Sequence, residues 1–218
     1  MPEINLLKNY PQTKRNVDER GQKKTEADRT IARKFGKEYF DGDRKYGYGG
    51  YNYHPRFWQP VVPDFLRHYG LTSQSQILDV GCGKGFMLYD FTQLLPGIRV
   101  RGIDISTYAI DHAPEEVKSF LEIGNAKKLD LKDHSFDLVI AINTIHNLPL
   151  VECKQALKEI QRVSRGHAFV TVDAYRNTAE KKRMDMWNLT ALTYMQVEEW
   201  KALFAEVGYT GDFYWFIP

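Results

Sequence analysis

Three glycines at alternate positions follow a short apolar run and a carboxylate in the first half of the chain. The run 77–80 is typical of a buried strand, and Asp79 lies near its carboxyl end, just before Gly81, Gly83 and Gly85. Because glycine lacks a Cβ atom, this turn can adopt left-handed angles and let a ligand lie against the backbone. The free N–H groups at the start of the following helix favour an anionic or polar ligand. The stretch therefore predicts a nucleotide-type pocket.

The spacing of the glycines differs from that of a dinucleotide-binding fingerprint, which needs Gly-x-Gly-x-x-Gly. Here Phe86 occupies the third glycine's position, and Gly85 comes one residue early. Asp79 would lie unfavourably beside a pyrophosphate, but it is well placed to pair with an ammonium group. The pattern Asp-x-Gly-x-Gly-x-Gly after a buried strand resembles motif I of the class I S-adenosylmethionine-dependent methyltransferases. In that family the loop holds the methionine end of the cofactor.

A second acid ends the next predicted strand. Asp104 follows the run 99–103, and a carboxylate there can accept hydrogen bonds from both ribose hydroxyls. Dehydrogenases also place an acid at this point, so Asp104 indicates a ribose without choosing between cofactors. Together with the glycine spacing, it strengthens the resemblance to the methyltransferases.

The resemblance implies contacts with each part of S-adenosylmethionine. The residues that would hold its methionine portion are Asp79, Gly81, Cys82, Gly83 and Gly85. Asp104 would bind the ribose, and Ile105 would pack against the adenine. Asn125 and Ala126 match the place where the family contacts the adenine amino group, although aspartate is commoner there than asparagine. Asn143 stands where the backbone usually runs beneath the cofactor.

Strand and helix patterns alternate regularly through the rest of the chain. This predicts an α/β fold, a three-layer α/β/α sandwich with a mostly parallel, doubly wound sheet. We divide the chain into an N-terminal arm and lid, residues 1–58, and a Rossmann-like catalytic domain, residues 59–218. Thr193 and Gln196 predict a capping box for the last helix. The family usually ends in a hairpin, but only one closing strand is recognisable, so the sheet edge is either shortened or completed by another segment.

The N-terminal residues are polar and rich in charge. Residues 1–24 lack an apolar period, which predicts a loose arm, while the run Thr25–Lys37 predicts a short amphipathic helix. The basic residues of the arm are Lys8, Lys14, Arg15, Arg20, Lys23 and Lys24. They are typical of either a solvated tail or an RNA contact. The tail is favoured because acids are interspersed and no aromatic residue interleaves the charges.

The stretch Tyr46–Trp58 concentrates four tyrosines, a phenylalanine and a tryptophan around three glycines. These rings could cover a flank of the core, or they could form a lid whose glycine hinges let it close over cofactor and acceptor. Electron-rich rings would also attract the sulfonium group, by roughly 0.5–2 kcal/mol. We favour the lid, and we count Tyr51 and His54 among the residues expected to bind the acceptor.

His146 is the candidate general base, since it lies just beyond the predicted strand 136–142 and faces the methyl group. The alternative is a buried structural histidine. The segment 143–146 lacks the Asn/Asp-Pro-Pro-Tyr/Phe sequence of enzymes that methylate exocyclic amines of DNA bases. Arg176 and Trp187 complete the acceptor-side candidates. The guanidinium would pair a carboxylate or phosphate, or else form a surface ion pair.

Composition limits the remaining possibilities. The 218 residues carry a formal net charge of +2, which gives no strong attraction to nucleic acid or anionic membrane, and no apolar run approaches the roughly 20 residues of a spanning helix. The two cysteines, Cys82 and Cys153, indicate neither a disulfide framework nor a metal site. Asp173 has no matching metal ligands, so no metal is predicted. We expect a cytoplasmic protein, either a monomer or a homodimer.

The predicted reaction is methyl transfer from S-adenosylmethionine to a small-molecule acceptor, with S-adenosylhomocysteine as product and O-methylation preferred to N- or C-methylation. Three alternatives remain open. The acceptor could be RNA or protein, with the basic arm as docking element. The chain could also bind the cofactor without transferring its methyl group, or it could be a nicotinamide-dependent dehydrogenase.

Overall fold

A parallel sheet forms the centre of the molecule. The computed structural model describes residues 2–11 and 24–218. Its strands are β1 (Gln76–Val80), β2 (Arg99–Asp104), β3 (Leu121–Ile123), β4 (Phe136–Ile142), β5 (Ser164–Tyr175), β6 (Met195–Gln196) and β7 (Asp212–Phe216). The spatial order is β3-β2-β1-β4-β5, and the outer edge of β5 pairs first with β7 and then with β6. All these pairings are parallel, which confirms the predicted α/β architecture.

Helices connect successive strands and precede the first. They are α1 (Glu26–Ala32), α2 (Lys37–Asp41), α3 (Pro55–Trp58), α4 (Val62–Tyr69), α5 (Phe86–Leu94), α6 (Thr107–Asp111), α7 (Glu115–Lys118), α8 (Leu150–Val163), α9 (Thr178–Trp187) and α10 (Val197–Glu206). A single 3₁₀ turn, Ile145–Asn147, follows β4 within the described residues. As predicted, the Ser106 hydroxyl caps α6 by accepting the Ala109 N–H at 3.0 Å. None of the helices in residues 2–11 and 24–218 is both long enough and apolar enough to cross a bilayer.

The two faces of the sheet bury separate hydrophobic clusters. Along β1, Leu78 belongs to one cluster and Ile77 to the other, because successive strand side chains point to opposite faces. The first cluster includes Trp200 and Phe204 of α10 together with the apolar stripe of α8. The second includes Phe65 of α4 and residues of α5. Two covered faces give the three-layer sandwich and leave the strand ends as the place for a ligand.

The first residues are part of the folded domain, and the prediction of a loose arm is wrong for residues 2–11. The Ile4 N–H donates to the Phe213 carbonyl at 2.9 Å, and Glu3 forms a parallel bridge with Phe213. Leu6 is 5% exposed and belongs to the second cluster. This segment therefore continues the sheet edge beyond β7, which favours the second of the two alternatives, completion by another segment. Lys14, Arg15, Arg20 and Lys23 lie outside the described residues.

Two local boundaries also differ from the predictions. The helix expected over Thr25–Lys37 is interrupted, because Phe35 has a φ of 48° between α1 and α2. The predicted capping box is displaced by three residues. Gln196 itself is the N-cap of α10, and its N–H donates to the Glu199 carboxylate at 2.7 Å. The Thr193 hydroxyl instead donates to the Leu148 carbonyl at 2.8 Å, which ties the loop before β6 to the 3₁₀ turn.

Candidate active site

A cavity of about 920 Å³ opens at the carboxyl ends of β1, β2, β4 and β5. Open α/β sheets bind ligands in this crevice, and small-molecule sites usually measure roughly 300–1,000 Å³. All the residues predicted to contact cofactor or acceptor line the cavity except Gly85 and Arg176. The structure therefore brings most of these residues together around one cavity.

The glycine loop adopts the left-handed conformation that its composition predicts. Gly81, Gly83 and Gly85 have φ values of 83°, 56° and 72°. A Cβ atom on Gly81 would lie 2.2 Å from the Thr144 hydroxyl, so β4 and the loop are in close contact there. The Gly81 N–H donates to the Ile103 carbonyl at 2.6 Å, which fixes the loop to the end of β2. Gly85 lies behind the cavity wall, where it begins α5.

Two buried carboxylates stand beside this loop. Asp104 accepts the Gly83 N–H at 2.7 Å on one oxygen and the Ser106 N–H at 2.8 Å on the other. Burial raises the pKa of Asp104, although these hydrogen bonds oppose the shift. Burial and the neighbouring charge of Asp104 raise the pKa of Asp79 to about 7. A site with two such acids is suited to a ligand that brings a positive charge and hydroxyl groups.

The next part of the wall suits a flat ring. Ile105 is 55% exposed, which is unusual for a large aliphatic side chain, and it lines the cavity beside Asn125 and Ala126. The Asn125 side-chain oxygen accepts the Lys127 N–H at 3.1 Å, so the turn is held locally. A carbonyl oxygen has a second lone pair, which leaves Asn125 able to accept from a ligand amino group.

Reciprocal hydrogen bonds with β5 fix the residue that follows β4. Asn143 has a φ of 53°, and its N–H donates to the Thr171 hydroxyl at 2.9 Å. The hydroxyl in turn donates to the Asn143 side-chain oxygen at 3.0 Å. Asparagine tolerates left-handed angles better than most residues. The pair therefore fixes the backbone at the place expected to lie beneath the cofactor.

His146 lines the cavity, but its hydrogen bonding opposes the role of general base. Its Nδ1 accepts the Asp173 N–H at 3.0 Å, so the neutral ring carries its proton on Nε2. Burial lowers the pKa of His146, with the nearby Asp173 carboxylate acting in the opposite direction. A base must offer an unprotonated nitrogen to the acceptor, and here that lone pair is already engaged. The geometry favours a neutral hydrogen-bond donor.

Asp173 joins three elements through its backbone. Its N–H contacts His146, and its carbonyl accepts the Trp200 indole N–H at 3.0 Å. Within residues 2–11 and 24–218, no group of three or more His, Cys, Asp or Glu side chains is placed to hold a metal ion. The backbone contacts of Asp173 give it a structural role at the end of β5.

Aromatic residues preceding α3 cover the glycine loop. The Tyr51 ring lies 4.2 Å from that of Tyr48 and 4.9 Å from that of Phe86, measured between centroids. A Cβ atom added to Gly83 would be 3.5 Å from Tyr51. The stretch therefore lies directly over the expected methionine pocket and does not cover only a distant flank of the core.

Asp41 attaches this covering segment to the domain. One carboxylate oxygen accepts from the Lys84 ammonium at 2.7 Å and from the Tyr108 hydroxyl at 2.8 Å, and the other accepts the Tyr51 N–H at 2.8 Å. Lys84 stands between two loop glycines and is 4% exposed. Burial alone would raise the pKa of Asp41, but its hydrogen bonds and the Lys84 charge bring it below the ordinary value.

The other acceptor candidates fall into two groups. His54 and Trp187 line the cavity, and the His54 Nδ1 also accepts the Arg56 N–H at 3.2 Å as the cap of α3. Arg176 lies away from the cavity wall. Its half-exposed guanidinium is 3.6 Å from the Glu180 carboxylate, which agrees with the surface ion pair rather than with acceptor binding.

Sequence reasoning missed one whole side of the cavity. The N-terminal segment contributes Asn5, Leu7, Lys8, Tyr10 and Pro11 to the wall. The Tyr10 ring lies 5.5 Å from Phe57 and 5.0 Å from Trp58, and Arg56 lies beside them. The spaced apolar residues of this segment and its tyrosine could have predicted that it packs on the domain. The basic residues around them obscured this pattern.

Comparison with known proteins identifies the domain. Residues 71–208 match a family model described as a methyltransferase domain. The chain is 25% identical to the ubiquinone biosynthesis O-methyltransferase of Nitrosococcus oceani over 53% of this chain and 56% of the relative. It is 31% identical to the tRNA (guanine-N(7)-)-methyltransferase of Xenopus laevis over 31% of this chain and 27% of the relative. The chain spans about half the length of the curated relatives it matches.

A solved structure shows the same fold. An N-methyltransferase 2 from Haemonchus contortus, in complex with phosphomonomethylethanolamine and S-adenosylhomocysteine, aligns with a TM-score of 0.58. The alignment covers 81% of this chain and 44% of the other, at 17% sequence identity. At this identity the likeness shows the architecture alone.

The close contact between Gly81 and Thr144 gives a stability prediction. We expect Gly81→Ala to lower the free energy of unfolding by several kcal/mol, because the added methyl group meets Thr144 and the φ of 83° is strained. Gly70→Ala is the matched control, since Gly70 has a φ of 59° with open space around its Cβ position. It should cost only about 1–2 kcal/mol. Urea unfolding of both variants measures the difference, and equal losses would contradict the close contact.

Proposed function

This chain belongs to the class I S-adenosylmethionine-dependent methyltransferases, and from that premise we propose that it methylates a small-molecule acceptor. The main support for this proposal is that a single cavity connects the two groups of residues. One end holds the glycine loop and the buried acids, and the other is enclosed by the N-terminal segment and aromatic side chains. A volume of about 920 Å³ leaves room for a small acceptor beside the cofactor. We propose an oxygen acceptor, which the resemblance to a quinone-pathway O-methyltransferase supports.

The proposed mechanism assigns binding and orientation to the protein. When bound, S-adenosylmethionine supplies a methyl group already activated for in-line displacement, so positioning dominates the remaining work. Asp79 would pair with the ammonium group of the cofactor, and the glycine loop would hold the adjoining carboxylate. Asp104 would accept hydrogen bonds from the ribose hydroxyls, while Ile105 and Asn125 would contact the adenine. The burial of the two acids and the exposure of the Ile105 side chain support these assignments.

We propose that His146 donates a hydrogen bond to the acceptor through its Nε2–H group. This role follows from the engagement of Nδ1 by the Asp173 N–H, and it keeps the ring neutral in its buried position. The acceptor's own proton is then released to solvent or lost before binding. An acceptor whose oxygen is acidic fits this arrangement better than an aliphatic alcohol.

A second candidate function is methylation of RNA or protein. The similarity to a tRNA methyltransferase and the basic residues near the N-terminus favour it. Against it, residues 2–11 are folded into the wall of the cavity, and the formal net charge is only +2. Strong dependence of binding on salt would be expected of a nucleic-acid acceptor.

The first test supplies the purified chain with methyl-labelled S-adenosylmethionine and an extract of its source cells, followed by acid precipitation. We expect label in a soluble product that depends on the chain and is lost in Asp79→Asn. Label in the precipitate would overturn the small-molecule proposal in favour of RNA or protein. Tight binding of S-adenosylhomocysteine without any labelled product would favour a cofactor-binding protein that transfers no methyl group.

The raised pKa of Asp79 predicts a pH-dependent cofactor affinity. Only the carboxylate form pairs with the ammonium group, so affinity should rise with pH through about 7 and level off above it. Each unit below the pKa should weaken binding by up to about tenfold. Calorimetric titration with S-adenosylhomocysteine between pH 5.5 and 7.5 measures this. Asp79→Asn should bind weakly without the slope, and an unchanged slope in that variant would assign the dependence to another group.

We also propose that the segment 42–53, which precedes α3, opens as a lid, with Asp41 holding it closed. Gly49 and Gly50 have φ values of 69° and 108°, as expected for hinge positions. The segment covers the glycine loop, so the cofactor must pass it. Breaking the Asp41–Lys84 ion pair leaves a buried ammonium without its partner, which favours the open form.

For this lid, Asp41→Asn should speed S-adenosylhomocysteine dissociation by about tenfold or more, since ordered ion pairs of this kind are worth more than exposed ones. Asp43→Asn is the matched control, because Asp43 is an exposed acid two residues away. Stopped-flow tryptophan fluorescence gives both rates. Dissociation that is equally fast in the control and in Asp41→Asn, or unchanged in both, would contradict the proposal that Asp41 holds the lid closed.

A further inference from the structure

A cluster of rings and one guanidinium forms the outer wall of the cavity. It consists of Tyr10 from the N-terminal segment and His54, Arg56, Phe57 and Trp58 at α3, and all of them line the cavity. The Tyr10 ring is 5.5 Å from Phe57 and 5.0 Å from Trp58. The Arg56 guanidinium lies 4.8 Å from the centre of the Phe57 ring. We call this group the aromatic wall.

Contacts of the residues just before Tyr10 hold the aromatic wall in place. The Asn9 amide donates to the buried Asp64 carboxylate of α4 at 2.8 Å, and Leu6 is buried in the core. The Tyr10 N–H donates to the Leu7 carbonyl at 2.9 Å, which closes a turn. The ring of Tyr10 is thus fixed against α3 by the fold of residues 2–11, and the wall is a built surface.

Arg56 is exposed and contacts a ring, and no acid of residues 2–11 or 24–218 forms an ion pair with it. Among the residues that the structure describes, the ion pairs with carboxylates do not include Arg56. The other two cations on the cavity wall are already engaged: Lys8 lies 3.9 Å from Asp64, and Arg44 donates to the Gly47 carbonyl at 2.7 Å. Among the cations that line the cavity in residues 2–11 and 24–218, Arg56 is therefore the one whose guanidinium can pair with an anionic ligand.

The acids that line the cavity are all at its other end. Asp79, Asp104 and Asp173 are buried at the carboxyl ends of β1, β2 and β5. The cavity thus has a negative floor, suited to a cationic cofactor, and a wall bearing a positive charge. A ligand with an anionic group gains by placing that group away from the floor and toward Arg56.

We propose that the acceptor is an aromatic carboxylate that stacks on the aromatic wall and pairs with Arg56. A guanidinium offers a planar fork that matches a carboxylate, and a ring contact restrains that fork before the ligand binds. Aromatic pairs gain most at centroid separations of about 4.5–7 Å, which an added ring can reach beside Tyr10 and Phe57. The inference rests on the proposed small-molecule methyl transfer, and it names the substrate class.

The test measures binding to the full chain saturated with S-adenosylhomocysteine. The probes are 4-hydroxybenzoate, salicylate and indole-3-carboxylate, each compared with its uncharged carboxamide by calorimetry. We expect at least one carboxylate to bind tenfold or more tightly than its carboxamide. Arg56→Gln should abolish that preference, and Arg56→Lys should keep part of it because the charge remains while the fork is lost. Arg99→Gln, an exposed arginine that donates to the Gln74 carbonyl, should change nothing.

The outcomes separate this proposal from the one it rests on. If S-adenosylhomocysteine binds but none of the carboxylates is preferred to its carboxamide, the substrate class is overturned and the methyltransferase proposal stands. A preference that survives in Arg56→Gln, with thermal unfolding unchanged, also overturns it. If S-adenosylhomocysteine fails to bind the unmodified chain, both proposals fall.

Discussion

The burial of two neighbouring carboxylates at one edge of the sheet is the constraint around which the site is built. Parallel pairing of β1 with β2 sets Asp79 opposite Gly102 and brings Asp104 close by, so two acids share one dehydrated edge of the sheet. Backbone N–H groups stabilise the charge on Asp104. Burial, and then the nearby charge of Asp104, raise the pKa of Asp79 to about 7. The fold therefore maintains an unfavourable charge that a cationic ligand relieves. The same carboxylate of Asp104 holds Gly83, so the loop's shape and the site's electrostatics have one cause.

The covering segment depends on this loop in turn. Lys84 is carried between two glycines whose left-handed angles leave its ammonium buried, and Asp41 is the acid that compensates it. A buried ammonium without a partner is costly, so closure of the aromatic segment and integrity of the loop are coupled. The Tyr51 ring, stacked on Tyr48, then adds apolar contact over Gly83, which has no side chain of its own.

Several short-range patterns in the sequence predicted the structure correctly, although the capping box at Thr193 and the continuous helix over Thr25–Lys37 did not. The strand before Asp79, the three glycines and the cap at Ser106 are each specified within a few residues, and the structure agrees with them. Features that depend on distant partners could not be predicted. The state of His146 depends on the backbone of Asp173, 27 residues away, and residues 2–11 are ordered by a strand at the opposite end of the chain.

The two arginines illustrate the limit most clearly. Arg176 follows the end of a central strand and was the natural candidate for an anionic acceptor, but Glu180 lies one helical turn later and takes its charge. Arg56 follows an irregular loop and has no recognisable sequence motif, because its proposed role depends on its contact with the Phe57 ring and on its place in the cavity wall. A charged side chain becomes a binding group through the absence of a competing partner, and that depends on the assembled fold rather than on any local pattern. The negative floor and the free guanidinium thus follow from one arrangement, in which the sheet collects the acids at its strand ends and the chain's first half supplies the opposing wall.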